Sequence, residues 1–116
     1  MLRLIALLAL APLAATADEA VVEAVTLKTT GDSYSVSVTL SHGDTGWEDY
    51  ADGWRVEAED GTILGERPLA HPHVNEQPFT RSTSGVKIPE GTRHVYIRAR
   101  TLTEGWGDTR HKVAVP

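Results

Sequence analysis

His71-Pro72-His73 is the pair of residues in this chain best placed to do chemistry. In an extended segment, residues i and i+2 face the same way about 6–7 Å apart. The intervening proline fixes its own φ and restricts the residue before it, so the segment is held extended. Two imidazoles presented in this way can share a metal ion. A copper or zinc centre needs a third ligand and usually a fourth, and His42, His111, Glu76 and Asp108 are the candidates. The chain has no cysteine and no methionine after Met1, which disfavours Cu(I) and leaves Cu(II) or Zn(II) as the ions to consider. The bland alternative is a pair of loop histidines held by ordinary hydrogen bonds.

The tryptophans offer different chemistry. Gly46-Trp47 and Gly105-Trp106-Gly107 put large aromatic faces beside glycines, as surfaces that stack on sugars do. Equally, both rings could plug the open end of a fold and bury apolar area. Trp54 is in phase with Val56 and Ala58 and is expected in the core. No nucleophile motif or phosphate-binding glycine loop is present, so no catalytic residue is assigned and no enzyme is expected. Glu48-Asp49 and Glu57, Glu59 and Asp60 read as solvated charges.

The elements that must position these groups are short strands. Tyr34, Val36, Val38 and Leu40 alternate with Ser33, Ser35, Ser37 and Thr39, the period of a half-buried strand. Val21, Val25 and Leu27 form an earlier strand. Trp54, Val56 and Ala58 lead into Asp60-Gly61, a dipeptide favoured in tight hairpins, and the chain returns through Thr62-Ile63-Leu64. A run from Thr80 to Ile88 comes next, then Val95, Ile97 and Ala99, and finally Val113 and Val115. Seven short strands without an amphipathic helix predict an all-β sandwich.

Alternating strands place every second connection at the same end. Thr30 to Asp32, Asp60-Gly61 and Pro89 to Thr92 are short. His42 to Asp52, Pro68 to Pro78 and Thr103 to Asp108 are long, so one end is predicted to carry three elaborated loops. Those loops hold Trp47, Tyr50, Asn75, Glu76, Trp106 and Asp108, a candidate surface for a ligand or a protein partner. His42, His71, His73 and His111 fall at the same end, and His94 does not.

The N-terminus bounds the setting. Arg3 precedes the apolar run Leu4 to Ala11, and Ala15-Thr16-Ala17 is a small-x-small site, which together predict a cleavable signal peptide over residues 1–17. The run falls short of the roughly 20 apolar residues of a membrane span. Cleavage before Asp18 leaves a single domain over 18–116, expected to lack a membrane anchor. Removal of Arg3 takes the net charge from −5 to −6, which argues against nucleic acid as a partner. With no cysteine, no disulfide supports the fold.

Two resemblances follow from these residues. The strand pattern, with Ile88-Pro89-Glu90-Gly91-Thr92 before a strand, resembles fibronectin type III and immunoglobulin-like domains. His71-Pro72-His73-Val74-Asn75-Glu76-Gln77-Pro78-Phe79-Thr80-Arg81, with Tyr50 to Trp54 and Gly105 to Gly107, resembles a group of small exported bacterial proteins without an assigned activity. That likeness implies a periplasmic setting in preference to secretion and brings no cofactor or site residue with it. The expectation is an exported binding module with no resident cofactor. The alternatives are a copper or zinc protein and a carbohydrate binder.

Overall fold

In the computed structural model, residues 18–116 are described; the predicted signal peptide and its cleavage point lie outside the described residues. Alternation builds the strands as expected. The elements are β1 (Val21–Thr30), β2 (Ser33–Ser41), β3 (Ala51–Glu57), β4 (Ile63–Pro68), β5 (Phe79–Val86), β6 (His94–Thr101), β7 (Gly105–Trp106) and β8 (His111–Ala114). All pairings are antiparallel. One sheet has the order β1-β2-β5; the other has β4-β3-β6, with β7 and β8 both on the far side of β6.

The fourth strand thus pairs with the third and not with the fifth. The constant immunoglobulin domain, by contrast, puts its fourth strand in the sheet of its first, second and fifth.

Val36, Val38 and Leu40 of β2 face Trp54 and Val56 of β3 and Val95, Ile97 and Ala99 of β6 across the sandwich. Trp54 is 1% exposed, as its phase predicts. Fully burying an aliphatic or aromatic side chain of this kind stabilises the fold by about 1.5–3 kcal/mol, so these three strands dominate the packing. At the β3–β4 hairpin, Gly61 takes φ +90 and donates to Ala58 O, while Asp60 Oδ1 accepts from Thr62 N. A Cβ in place of Gly65 would lie 3.0 Å from Val86 Cγ2, so this glycine lets edge strand β4 close against β5.

The structure corrects the strand reading in two places. Seven strands become eight because Gly105–Trp106, expected in the third long loop, pairs with β6 as the short strand β7 ahead of the last strand. Residues 107–110 leave the sheet between β7 and β8, and Glu19 holds them there through Thr109 Oγ1 (2.8 Å) and the backbone N–H of Asp108. The phase of β1 also shifts. A bulge between Val22 and Ala24 puts Val22, not Val21, against the core with Val25 and Leu27, leaving Val21 53% exposed. An extra residue in one strand turns the following side chains to the other face, which strict alternation does not anticipate.

Candidate functional site

Three connections gather at one end, as parity predicts, but they are shorter than expected. β3 already begins at Ala51, β4 ends at Pro68, and β7 occupies Gly105–Trp106, leaving only Leu102–Glu104 as the third link. Asp44 ties this end together. Its side chain is wholly buried; Oδ1 accepts from Ala51 N (2.9 Å) and contacts His42 Nδ1 (2.6 Å), and Oδ2 accepts from His73 N (2.8 Å). One carboxylate thus joins the first loop, the start of β3 and the second loop. Gln77 adds two bonds, accepting from His42 N and donating to His73 O. The third link joins through Leu102 N to Tyr50 O and Thr103 Oγ1 to Asp49 Oδ1. A buried carboxylate without such partners would be strongly unfavourable, so the hydrogen-bond set is what permits Asp44 here.

His42 is equally buried, between Asp44 on Nδ1 and Asp18 on Nε2, where the Asp18 carbonyl oxygen lies at 3.0 Å and Oδ2 at 3.2 Å. Burial alone would lower its pKa, but Asp44, Asp18 and Asp49 outweigh burial and raise it. His73 differs. Burial, then Arg81 and His71, push its pKa down, so its ring is favoured neutral. It stacks on Phe79 with centroids 3.9 Å apart, and Arg81 donates to its Nε2 at 2.8 Å.

The structure therefore brings His71 and His73 together, with ring centroids 4.6 Å apart, but His73 Nε2 is already engaged by Arg81. His71 is exposed. His111 lies on β8 opposite Ile97 and lines a separate groove with Glu19, Val22, Ala99 and Thr109. Among the described residues, the group of three ligand types close enough to share an ion is Asp18, His42 and Asp49. Of the four histidines considered for a metal, His42 alone belongs to it.

Trp47 does not plug the end. It is 66% exposed and meets Tyr50 edge-on, with centroids 5.7 Å apart. Asn75, Glu76 and Asp108 are exposed. Val74 and Leu102, on the second and third links, are 51% and 44% exposed, so each of the three connections displays one apolar side chain. Trp106 lies in the sheet, with the Arg55 guanidinium 4.0 Å above its ring.

The outer face of the larger sheet holds residues that the sequence reading passed over. Glu57, expected to be solvated, is 1% exposed. Arg55 Nε (2.7 Å), Arg110 Nε (2.9 Å) and Arg98 Nε (3.1 Å) surround its carboxylate. Burial pushes its pKa up, but the three guanidinium groups outweigh burial and hold it below the usual carboxylate value. The signal was present in the polar phase of the two central strands, Arg55-x-Glu57 and Tyr96-x-Arg98-x-Arg100, whose registers pair. Beside this cluster is a groove of about 310 Å³ lined by residues that include Asp52, Gly53, Trp54, Arg67, Arg100 and Trp106. Arg100 pairs with Asp52 Oδ2, while Asp52 Oδ1 and Trp54 Nε1 are buried without a hydrogen-bond partner among the described residues.

No family model and no solved structure matches the chain. Over 90 residues it is 46% identical to a protein of Halomicrobium mukohataei named "Putative lipoprotein", an alignment that covers 77% of this chain and 44% of that protein. The chain thus spans less than half the length of the curated relative it matches.

Proposed function

We propose that the chain is an exported, non-enzymatic interaction module that binds a protein partner through its long-loop end. The observation that carries this reading is the exposure of Trp47, Val74 and Leu102, one on each of the three connections, on a base held together by Asp44 and Gln77. Apolar anchors on rigid loops lose little conformational entropy on binding, and aromatic residues recur as binding hot spots. Glu48, Asp49, Glu76 and Glu104 make the rim acidic, which suits a partner with an apolar centre and basic edges. Export draws support from the predicted signal peptide and from the lipoprotein name of the relative; a periplasmic setting is part of the proposal.

Site-specific photocrosslinking in the exporting cell tests it. A crosslinker at Glu48 is expected to give a discrete adduct that is lost in Trp47→Ser/Leu102→Ser, while one at the exposed Glu59, on the opposite end, gives none. Equal labelling from both ends, or no adduct from Glu48, refutes the reading.

A second reading is a small polyhydroxylated ligand, such as a sugar, in the groove beside Trp106. Asp52 and Trp54 line that groove, and Asp52 Oδ1, an acceptor, and Trp54 Nε1, a donor, favour the reading because neither has a partner among the described residues and a hydroxyl can serve either. Glycan titrations that change tryptophan fluorescence in the wild type but not in Trp106→Ala would support it; no change with any glycan removes it.

A further inference from the structure

We infer that Asp18, His42 and Asp49 form a site for one divalent transition-metal ion, of which zinc is the reference. The site does not use His71 or His73, and although it shares Asp49 with the acidic rim, ion binding does not require a protein partner. Its first support is chemical. His42 Nε2 faces the Asp18 carbonyl oxygen at 3.0 Å and Asp18 Oδ2 at 3.2 Å, and one ligand atom from each of Asp18, His42 and Asp49 falls within 4.8 Å of the others. These oxygens are all acceptors, so positive charge placed among them is favourable. A proton on Nε2 supplies part of it, and a divalent ion can take its place.

The second support is metric. Zinc bonded to nitrogen and oxygen at about 2.0–2.1 Å holds tetrahedral ligands about 3.4 Å from one another. The separation of His42 Nε2 and Asp18 Oδ2, 3.2 Å, already matches that edge. Asp49, whose Oδ1 accepts from Thr103, offers the third ligand atom within 4.8 Å of the other two, and a bound ion would draw it nearer.

The third support lies behind the ring. Asp44 Oδ1 holds His42 Nδ1 at 2.6 Å, so Nδ1 carries a proton and the ring is oriented with Nε2 toward the two aspartates. A carboxylate on the far nitrogen is the usual companion of a metal-bound histidine, fixing its tautomer and making it a better donor. Access is open. Asp18 is 63% exposed, and His42 lines a surface groove with Asp18, Ser41, Gly43 and Gln77. Three protein ligands and a solvent-facing side leave a coordination position for water or a partner's group. One imidazole with two carboxylates suits zinc or copper; calcium, which takes 6–8 oxygen ligands, is poorly served.

Calorimetric titration of the full chain, freed of metal by chelation, with Zn(II) alone decides the matter. Saturable 1:1 binding is expected, with affinity reduced at least about tenfold in Asp18→Asn and in Asp49→Asn, and unchanged in His71→Ala. Asp18 is exposed, Asp49 is half-buried with Thr103 as its side-chain partner, and Asn preserves the shape of each, so circular dichroism is expected to show each variant folded; Ca(II) should give no saturable heat. The inference is overturned if zinc gives no saturable heat, if either aspartate variant binds as tightly as the wild type, or if His71→Ala abolishes binding.

Discussion

Asp44 at the loop end and Glu57 on the sheet face are both buried carboxylates, yet they are satisfied by different partners. Asp44 is held by two backbone N–H groups and one imidazole, from segments as far apart as Ala51 and His73. Glu57 is held by three guanidinium groups from β3, β6 and the segment before β8. The first arrangement fixes where loops go; the second covers a sheet face whose strands are already fixed by their ladders. Removing either anion should therefore have unequal consequences.

Asp44→Ala should give the largest loss. It strips the acceptor from two buried backbone donors and leaves His42 beside Asp18 alone, and breaking a buried pair of this kind costs about 3–5 kcal/mol. Urea denaturation should show that drop, and amide exchange should accelerate at Ala51 and His73. A loss below about 1 kcal/mol would mean that the loop end is held by other contacts.

Glu57→Gln should cost less, about 1–3 kcal/mol, because Arg55, Arg98 and Arg110 are 17–27% exposed and can turn toward water. Its pH signature is distinct. The folded pKa of Glu57 lies below the ordinary 4.5, so its stabilisation is present above pH 4.5 and is lost as pH falls through the folded value. Thermal unfolding of the wild type should weaken as pH drops below 4.5, and Glu57→Gln should flatten that decline. Parallel curves for the two proteins would show that the carboxylate is not the titrating group.

The same contrast explains what could be read from the chain. β2 and β6 were legible because every second residue is apolar and the strands run unbroken, and the loop end was legible because alternating strands sort connections by parity. Glu57 was not, since Arg55-x-Glu57 looks like any solvated strand face until Arg98 and Arg110 are brought beside it by pairing. Asp44 was hidden for another reason. Two of its partners are backbone N–H groups, which carry no signature in the sequence. The His71-Pro72-His73 motif did bring its rings together, but local spacing gave no view of Arg81, which occupies one of them.

Trp106→Ala tests the sheet face at its edge. It removes the ring beneath Arg55, an interaction worth about 0.5–1 kcal/mol at a partly exposed site, together with the area that the ring buries. A total loss of about 1–2 kcal/mol in denaturant unfolding is expected, with Arg55 still bonded to Glu57.

Trp47→Ser makes the sharpest contrast because its stability effect should be the smallest. The ring is 66% exposed and touches Tyr50 only edge-on, so little buried area is lost. Surface substitutions of this sort change stability by about 0.5 kcal/mol or less. A side chain this large that contributes little to folding is available to contribute to binding, where desolvating it against a partner is favourable. Unchanged unfolding together with loss of the crosslinked adduct would separate the two roles. A loss of more than about 2 kcal/mol would instead place Trp47 in the framework of the loop end and remove it from the binding surface.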